Sequence, residues 1–248
     1  MSIPVKNKDE IKAMREAGKI VALVIKDLKY KIEPGITTKE LDQWAEKVIK
    51  SNGALPAFKG YQGYPATLCT SVNNQVVHGI PSDRVLKVGD IIGIDVGAKL
   101  GNWYSDTAYT YAVGEVSNKA KKLMEVTKKA LEAGIKAAVV GNRVFDIGYA
   151  VQQVVEAEKF SVVRDFIGHG IGRALHELPQ VPNYADPRQV DNLKEGMFLA
   201  IEPMVNAGGY KVRVKEDKWT VETVDGSLSA HFEHTVLVKE GVAEVITQ

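Results

Sequence analysis

Four acidic residues lie in segments whose other residues are mostly apolar and β-forming. Asp95 ends the run IIGID, Glu202 ends FLAIE, Asp106 begins DTAY, and Glu233 lies within HFEHTV. A buried carboxylate without a partner costs several kcal/mol, so each must be neutralised, paired or bound to a metal ion. Asp106 follows Asp95 across the turn Gly101-Asn102, so a hairpin would bring the two aspartates side by side.

A histidine completes this set of candidate ligands. His169 lies between Gly168 and Gly170, where small neighbours would leave its ring accessible. Four ionised carboxylates carry a charge of about −4, which two divalent cations would balance while sharing bridging carboxylates. Arg173 is the only basic residue near these strands in sequence that could compete as a counter-charge, and one arginine is not enough. The alternative is that each acid is separately salt-bridged at a strand end, which four acids together disfavour. The donor set suits Mn, Fe, Co or Zn.

Two further histidines and several pocket candidates stand outside that set. His78 and His176 each begin an H-x-x-P quartet, and histidines near a metal centre can orient an amide or stabilise an oxyanion. Alternatively, each is satisfied inside a turn. Cys69 has no basic neighbour in sequence, so we interpret it as an apolar wall residue rather than a nucleophile. Aromatic residues that could line a pocket, or simply belong to the core, are Phe58, Tyr61, Tyr64 and Trp219.

Composition excludes several classes of protein. The chain has 248 residues, with 32 Lys and Arg against 31 Asp and Glu, so no strong field favours nucleic acid or a membrane surface. A single cysteine, Cys69, excludes a disulfide framework and a thiolate zinc cage. The N-terminal stretch MSIPVKNKDE does not resemble a signal peptide, and the longest apolar run, 20–25, is too short to span a membrane. We expect a soluble, cytoplasmic protein.

The elements that must position these residues follow from periodicity. Helical spacing predicts a helix over about 8–30, and the capping-box pair Thr37 and Glu40 opens a second one that ends near Asn52-Gly53. Short strands follow from about Thr67 to Val113. Helices are predicted again over about 119–139 and 144–159, with strands from there to the C-terminus.

The second half therefore repeats the order of the first. The segment LKVGDIIGID, residues 86–95, aligns without gaps on LKEGMFLAIE, residues 193–202, and each ends in a candidate ligand. We predict an internal duplication, with halves over about 8–113 and 117–240. The sequence thus indicates one α+β domain, residues 1–248, built from two similar halves.

Taken together, these motifs resemble the methionine aminopeptidases, in the short bacterial (type I) form, of the pita-bread metallopeptidases. The resemblance covers essentially the whole chain. Its stretches are YQGYP at 61–65, VHGIP at 77–81, DVG at 95–97 with DTA at 106–108, GHGIGR at 168–173, IEPM at 201–204, WTV at 219–221, SLSA at 227–230 and EHT at 233–235.

The resemblance implies a role for each matching position. It implies two pseudo-symmetric α-β halves around a central dinuclear metal site, with Asp106 and Glu233 bridging the ions and Glu202 also acting as general base. His78 and His176 match the histidines that contact substrate and stabilise the tetrahedral intermediate. The implied metal ligands are Asp95, Asp106, His169, Glu202 and Glu233. The implied walls of the methionine pocket are Tyr61, Tyr64, Cys69 and Trp219.

The implied activity is removal of the initiator methionine from nascent proteins with a small second residue, through a hydroxide bound by two divalent ions (Co, Mn, Fe or Zn). Implied partners are nascent N-termini, with transient ribosome association, for a monomer that uses neither nucleic acid nor membrane. Three positions depart from or vary within the family: His231 replaces a common Gln, Leu175 a frequent aromatic residue, and Phe58 varies.

Rival interpretations remain within and outside this family. A prolidase or aminopeptidase P would carry an added N-terminal domain, and a type II methionine aminopeptidase an inserted subdomain. A non-catalytic relative acting as a binding module, for example on ribosomes, would have lost ligands, whereas this chain retains all five.

Overall fold

The computed structural model describes residues 3–248, so Met1 and Ser2, which belong to the predicted domain and N-terminal stretch, lie outside the described residues. The helices are α1 Lys8–Leu28, α2 Thr38–Ser51, α3 Asn118–Ala137 and α4 Val144–Ala157, with one 3-10 turn at Tyr61–Gly63. The strands are β1 Leu55–Pro56, β2 Leu68–Val72, β3 Gln75–Val77, β4 Ile91–Leu100, β5 Trp103–Ala112, β6 Ser161–Val162, β7 Gly168–Gly170, β8 Glu177–Val181, β9 Phe198–Ile201, β10 Met204–Asn206, β11 Val212–Val214, β12 Val221–Thr223, β13 Ser229–His231, β14 Glu233–Leu237 and β15 Glu244–Val245.

All four predicted helices are confirmed, with ends that differ by one or two residues. The capping box at the start of α2 is present: the Thr37 hydroxyl accepts the Glu40 N–H at 3.2 Å, and the Glu40 carboxylate accepts the Thr37 N–H at 2.8 Å. These bonds satisfy backbone donors that have no partner in the first helical turn. Helices α1, α3 and α4 each end two residues before the predicted limit, where helix ends fray.

A nine-stranded sheet organises the molecule. Its order is β1-β4-β5-β14-β9-β7-β8, with β2 also paired to β4 and β15 to β14. Strands from both predicted halves therefore share one sheet, and the pairs along it are antiparallel. The α+β class is confirmed. No helix within residues 3–248 combines the length and apolarity that a membrane crossing requires.

The helices cover one face of this sheet. In β4, Ile92, Ile94 and Val96 pack in a core cluster with residues of α1 and α2. A second cluster joins α3 and α4 to β9 and β14. Because successive side chains of a strand point to opposite faces, Asp95 lies on the face away from the helices. The second face of β4 carries the site described next. The duplication stays a prediction, which the two helix pairs and two core clusters support.

Candidate active site

Three of the acids share one face of three adjacent strands. Residues paired directly across antiparallel strands point to the same side. Ala108 of β5 pairs with Asp95 of β4 on one side and with Glu233 of β14 on the other. Asp106 lies two residues before Ala108, so it points to the same face, opposite Gly97. The predicted hairpin is confirmed, and the aspartates are diagonal rather than direct neighbours.

The same alternation brings the remaining two groups to this face. Ile201 of β9 pairs with His234, so Glu202, the next residue, comes beside Glu233. His169 of β7 pairs with Ala200, two residues before Glu202. Five strands that are consecutive in the sheet, β4, β5, β14, β9 and β7, thus supply one histidine and four carboxylates to a single site.

Among residues 3–248, no Lys or Arg side chain forms an ion pair with these four carboxylates. Ligand atoms of Asp106, His169 and Glu233 all lie within 4.8 Å of one another. One buried oxygen of Asp95, of Asp106 and of Glu233 has no hydrogen-bond partner among the described residues. Within residues 3–248, the ion pairs of these acids are limited to contacts of Glu202 with histidine. The interpretation of four separate salt bridges is therefore wrong, and unpaired oxygens around one point fit a divalent cation site.

Arg173 does not compete for this charge. Its Nη2 lies 3.0 Å from Oε1 of Glu10, and its guanidinium stacks over the Trp103 ring at 4.5 Å from the centroid. Both partners lie outside the carboxylate group. The positive charge that balances the four carboxylates therefore has to come from a group other than Arg173.

His169 is held with one ring nitrogen directed to the acids. Its Nδ1 lies 2.9 Å from the carbonyl oxygen of Gly170, so Nδ1–H donates there and Nε2 is left as an acceptor, 3.6 Å from Oε1 of Glu202. The expectation of an accessible ring is wrong, because His169 is only 8 % exposed. Glycines flank it for a different reason: a Cβ on Gly168 would overlap the Ala200 carbonyl oxygen, and one on Gly170 that of Leu178.

Burial and mutual repulsion shift the protonation of this group. Burial raises the pKa of Asp95 to about 7. Burial, reinforced by the neighbouring carboxylates, raises the pKa values of Asp106, Glu202 and Glu233 well above their ordinary range. Burial lowers the pKa of His169 to about 3, so its imidazole is neutral and ready to act as a ligand.

These shifts predict how the stability of the metal-free protein depends on pH. Folded carboxylates with raised pKa values keep protons that the unfolded chain releases, so their stabilising contribution is lost as pH rises through the folded pKa. The histidines with lowered pKa values act in the opposite sense, but only below about pH 6.5. In chelator, Tm should therefore fall as the pH rises above about 6.5, where the histidines no longer oppose the carboxylates.

Differential scanning fluorimetry across this range tests the prediction. Added Mn²⁺ should remove the fall, because a cation holds the carboxylates ionised. Asp106→Asn should flatten the profile in chelator, because it removes one of the titrating groups. A Tm in chelator that is constant or rises with pH would contradict the assigned shifts.

A cavity of about 140 Å³ opens above the carboxylates. Every residue predicted as a ligand or substrate contact lines it: Tyr61, Tyr64, Cys69, His78, Asp95, Asp106, His169, His176, Glu202, Trp219 and Glu233. These residues are spread along the chain from position 61 to position 233, yet they surround one space.

The two further histidines face this cavity. His176 precedes β8, its Nδ1 lies 2.8 Å from the Tyr61 hydroxyl, and its ring packs edge-on against His169 at 4.3 Å. With Nδ1 engaged by Tyr61, Nε2 is the nitrogen left for a substrate. His78 has φ of 58°, a left-handed conformation that is uncommon for non-glycine residues. Burial lowers its pKa to about 4, so it is neutral.

The predicted wall residues belong to the apolar core and also line the cavity. Tyr64, Cys69 and Leu175 are buried in one apolar cluster, to which Tyr61 and Trp219 add partly exposed rings. Trp219 packs edge-on against Tyr64 with 5.1 Å between the ring centroids. Burial raises the pKa of the Cys69 thiol, so it stays protonated and acts as an apolar surface.

Comparisons with known proteins agree with this geometry. The sequence pattern of metallopeptidase family M24 matches residues 12–240. Methionine aminopeptidase 1 of Bacillus subtilis (strain 168) is 54% identical over 239 residues, 96% of each chain. A crystal structure of methionine aminopeptidase from Rickettsia prowazekii superposes with a TM-score of 0.97 at 43% identity, over the whole of both chains.

The chain belongs to metallopeptidase family M24. The pita-bread fold and the enzyme class, a metallopeptidase on the methionine aminopeptidase branch, are confirmed. A prolidase from Pyrococcus furiosus shares the fold, with a TM-score of 0.81 at 24% identity. The match covers 98% of this chain and 65% of the prolidase.

The location of three further residues near the site becomes clear from the structure. His231 is 3 % exposed, and its Nε2 lies 3.8 Å from Oε2 of Glu202, so Glu202 has an imidazole beside each oxygen. Gln62 lines the cavity and Phe166 packs edge-on against His78 at 5.5 Å, yet neither was predicted. Gln62 lies within the stretch YQGYP and could have been assigned from it, whereas Phe166 lies in none of the stretches named above. Leu175 and Phe58, the variable positions, also line the cavity.

Proposed function

We propose that this chain hydrolyses the peptide bond after an N-terminal methionine, acting on newly made proteins whose second residue is small. The observation that carries the proposal is the convergence of four uncompensated carboxylates and a neutral histidine beneath a small, mostly apolar cavity. The relatives that match the chain over nearly its whole length are named methionine aminopeptidases, which supports the same activity.

The residues present fit divalent metal ions. Asp106, His169 and Glu233 have ligand atoms within 4.8 Å of one another, and Asp95 and Glu202 would complete the set. Asp106 and Glu233 would be the ligands shared by two ions, because they lie between the other acids on the sheet face. When bound, such ions lower the pKa of a water molecule and polarise the scissile carbonyl. Which of Co, Mn, Fe or Zn serves is left to the assay below.

The other side chains bind and activate the substrate. Glu202 accepts a proton from the attacking water and delivers it to the leaving amine. His176, oriented by the Tyr61 hydroxyl, donates from Nε2 to the oxyanion that forms on attack. His78 contacts the peptide on the other side of the cavity. The free α-amine of the substrate lies near Asp95, which restricts cleavage to the first residue.

The cavity walls select the side chain. Methionine is unbranched and polarizable, and it packs well against aromatic rings and a thiol. Tyr61, Tyr64, Cys69 and Trp219 offer such surfaces, and Leu175 closes the wall. We place the protein in the cytoplasm as a monomer that meets nascent N-termini there. Transient contact with the ribosome stays a prediction.

Amine release from three peptides tests the proposal. Met-Ala-Ser, Met-Lys-Ser and Ala-Pro-Ser are incubated with the full chain and Mn²⁺, Co²⁺, Fe²⁺ or Zn²⁺, and in parallel with a chelator. Metal-dependent cleavage of Met-Ala-Ser alone is the expected result. Cleavage of Ala-Pro-Ser instead would assign the chain to the proline-specific branch. Absence of cleavage by folded protein with every metal would contradict the proposal and favour a binding role.

A further inference from the structure

We propose that the ion pair between Lys6 and Glu177 is a clamp that positions His176 and Leu175 for catalysis. The segment 172–177 carries both residues into the cavity, and Glu177 ends it. This inference rests on the proposed function, since its clearest readout is peptide cleavage. Lys6 lies 171 residues from Glu177 in sequence and contacts no reacting group, so it is a positioning residue.

Glu177 ties the segment together at its C-terminal end. Its Oε1 accepts the backbone N–H groups of Arg173 at 2.7 Å and of Ala174 at 3.2 Å. Its Oε2 pairs with Nζ of Lys6. The Glu177 carboxylate therefore holds the two ends of segment 172–177 together and joins this segment to the N-terminal residues that include Lys6. Bonds to a charged group are the stronger class of hydrogen bond, so this arrangement is stiff.

Lys6 is itself fixed and buried. Its backbone N–H donates to the Gly196 carbonyl at 2.8 Å, and its side chain is 5 % exposed against 11 % for that of Glu177. A Cβ on Gly172 would overlap both the Lys6 side chain and the Glu177 carboxylate, so the glycine leaves the space that the pair occupies. Exposed ion pairs contribute little, but a buried pair leaves an uncompensated charge when either partner is removed.

The consequence reaches the cavity through one peptide bond. His176 precedes Glu177 directly, and on its other side it is held by the Tyr61 hydroxyl at 2.8 Å. Leu175 is 2 % exposed and belongs to the apolar wall. Without Lys6, the unpaired Glu177 carboxylate moves toward solvent and displaces segment 172–177 outward. His176 then misses the oxyanion position, and a displacement of about 1 Å can cost about 100-fold in rate.

The experiment compares four variants of the full chain, loaded with Mn²⁺, on Met-Ala-Ser. They are Lys6→Met, Glu177→Gln, the double variant, and Lys19→Met as a matched control. Lys19 also pairs with a glutamate, Glu16, but this pair is exposed and distant from the segment. Glu177→Gln keeps an oxygen for the Arg173 and Ala174 N–H groups, so it tests the charge with the segment's own hydrogen bonds intact.

We expect Lys6→Met and Glu177→Gln each to lower kcat by about 10- to 100-fold with KM changed less than about threefold, because His176 acts on the transition state. The double variant should be no worse than either single one, since both remove the same interaction. Hydrogen–deuterium exchange of segment 172–177 should rise in the single variants. Lys19→Met should match the wild type in both readouts.

Wild-type kcat in both single variants, or additive losses in the double variant, would overturn the clamp. So would a rise in exchange spread over the whole chain, because the pair would then serve stability alone. Failure of the wild type to cleave Met-Ala-Ser with every metal would instead contradict the proposed function. In that case the exchange of segment 172–177 still decides whether Lys6 holds it.

Discussion

Glu233→Gln is expected to lower metal-dependent cleavage of Met-Ala-Ser by about 1,000-fold or more, because the proposed shared ligand would support both ions and contribute several kcal/mol to transition-state stabilisation. The substitution keeps the shape of the side chain but removes its charge from the middle of the carboxylate group. Asp106→Asn should behave in the same way, because Asp106 occupies the neighbouring strand on the same sheet face.

Two measurements separate this result from misfolding. Metal content after dialysis, measured by elemental analysis, should fall in both variants. Their Tm in chelator near pH 8 should rise above that of the wild type, because each variant lacks one buried carboxylate whose raised pKa opposes folding at that pH. Glu16→Gln, which alters an exposed acid, is the matched control and should change neither value. Retained activity after substitution of either residue, including by Ala, would contradict their assignment as shared ligands.

His176→Ala is expected to lower kcat by about 100- to 1,000-fold, the cost of removing one donor to a developing oxyanion. Metal content should stay at the wild-type level, because His176 is not among the proposed ligands. Steady-state kinetics on Met-Ala-Ser, together with elemental analysis, check both statements.

Tyr61→Phe is expected to lower kcat in the same way as His176→Ala, but by a smaller factor. It removes the hydroxyl that holds His176 Nδ1 at 2.8 Å and should cost about 10-fold in kcat, because the ring remains but its orientation is no longer fixed. A loss of metal in His176→Ala, or a rise in KM with kcat unchanged, would place His176 in ground-state binding or ligation instead.

The chemistry of the site could be predicted from local sequence because a buried acid is conspicuous. Asp95 and Glu202 each end an apolar run, and an uncompensated carboxylate there demands a partner. The number of acids then indicated the charge of that partner. The helix starts were equally local, because a capping box needs only residues three apart, as at Thr37 and Glu40.

What the sequence could not supply is pairing between distant strands. Nothing near Glu233 indicates that β14 lies between β5 and β9, and the diagonal offset of Asp95 and Asp106 depends on the length of a turn. The reason predicted for the glycines around His169 is wrong, because the carbonyl groups that they avoid belong to neighbouring strands of the sheet. Separation along the sequence also concealed Lys6, whose partner becomes visible only when the N-terminal residues are seen beside β8.

The dependence of the site on strand register has an evolutionary consequence. Each acid faces the cavity because side chains alternate along its strand, so a single-residue insertion or deletion within β4, β5 or β14 would rotate every residue beyond it to the opposite face. One such event would remove a ligand and also press a charge against the helices. A substitution changes one side chain at a time, whereas a change of length within these strands moves several side chains to the wrong face at once. Lineages descending from this chain should therefore gain and lose residues in connecting segments such as 182–197, while these three strands keep a constant length.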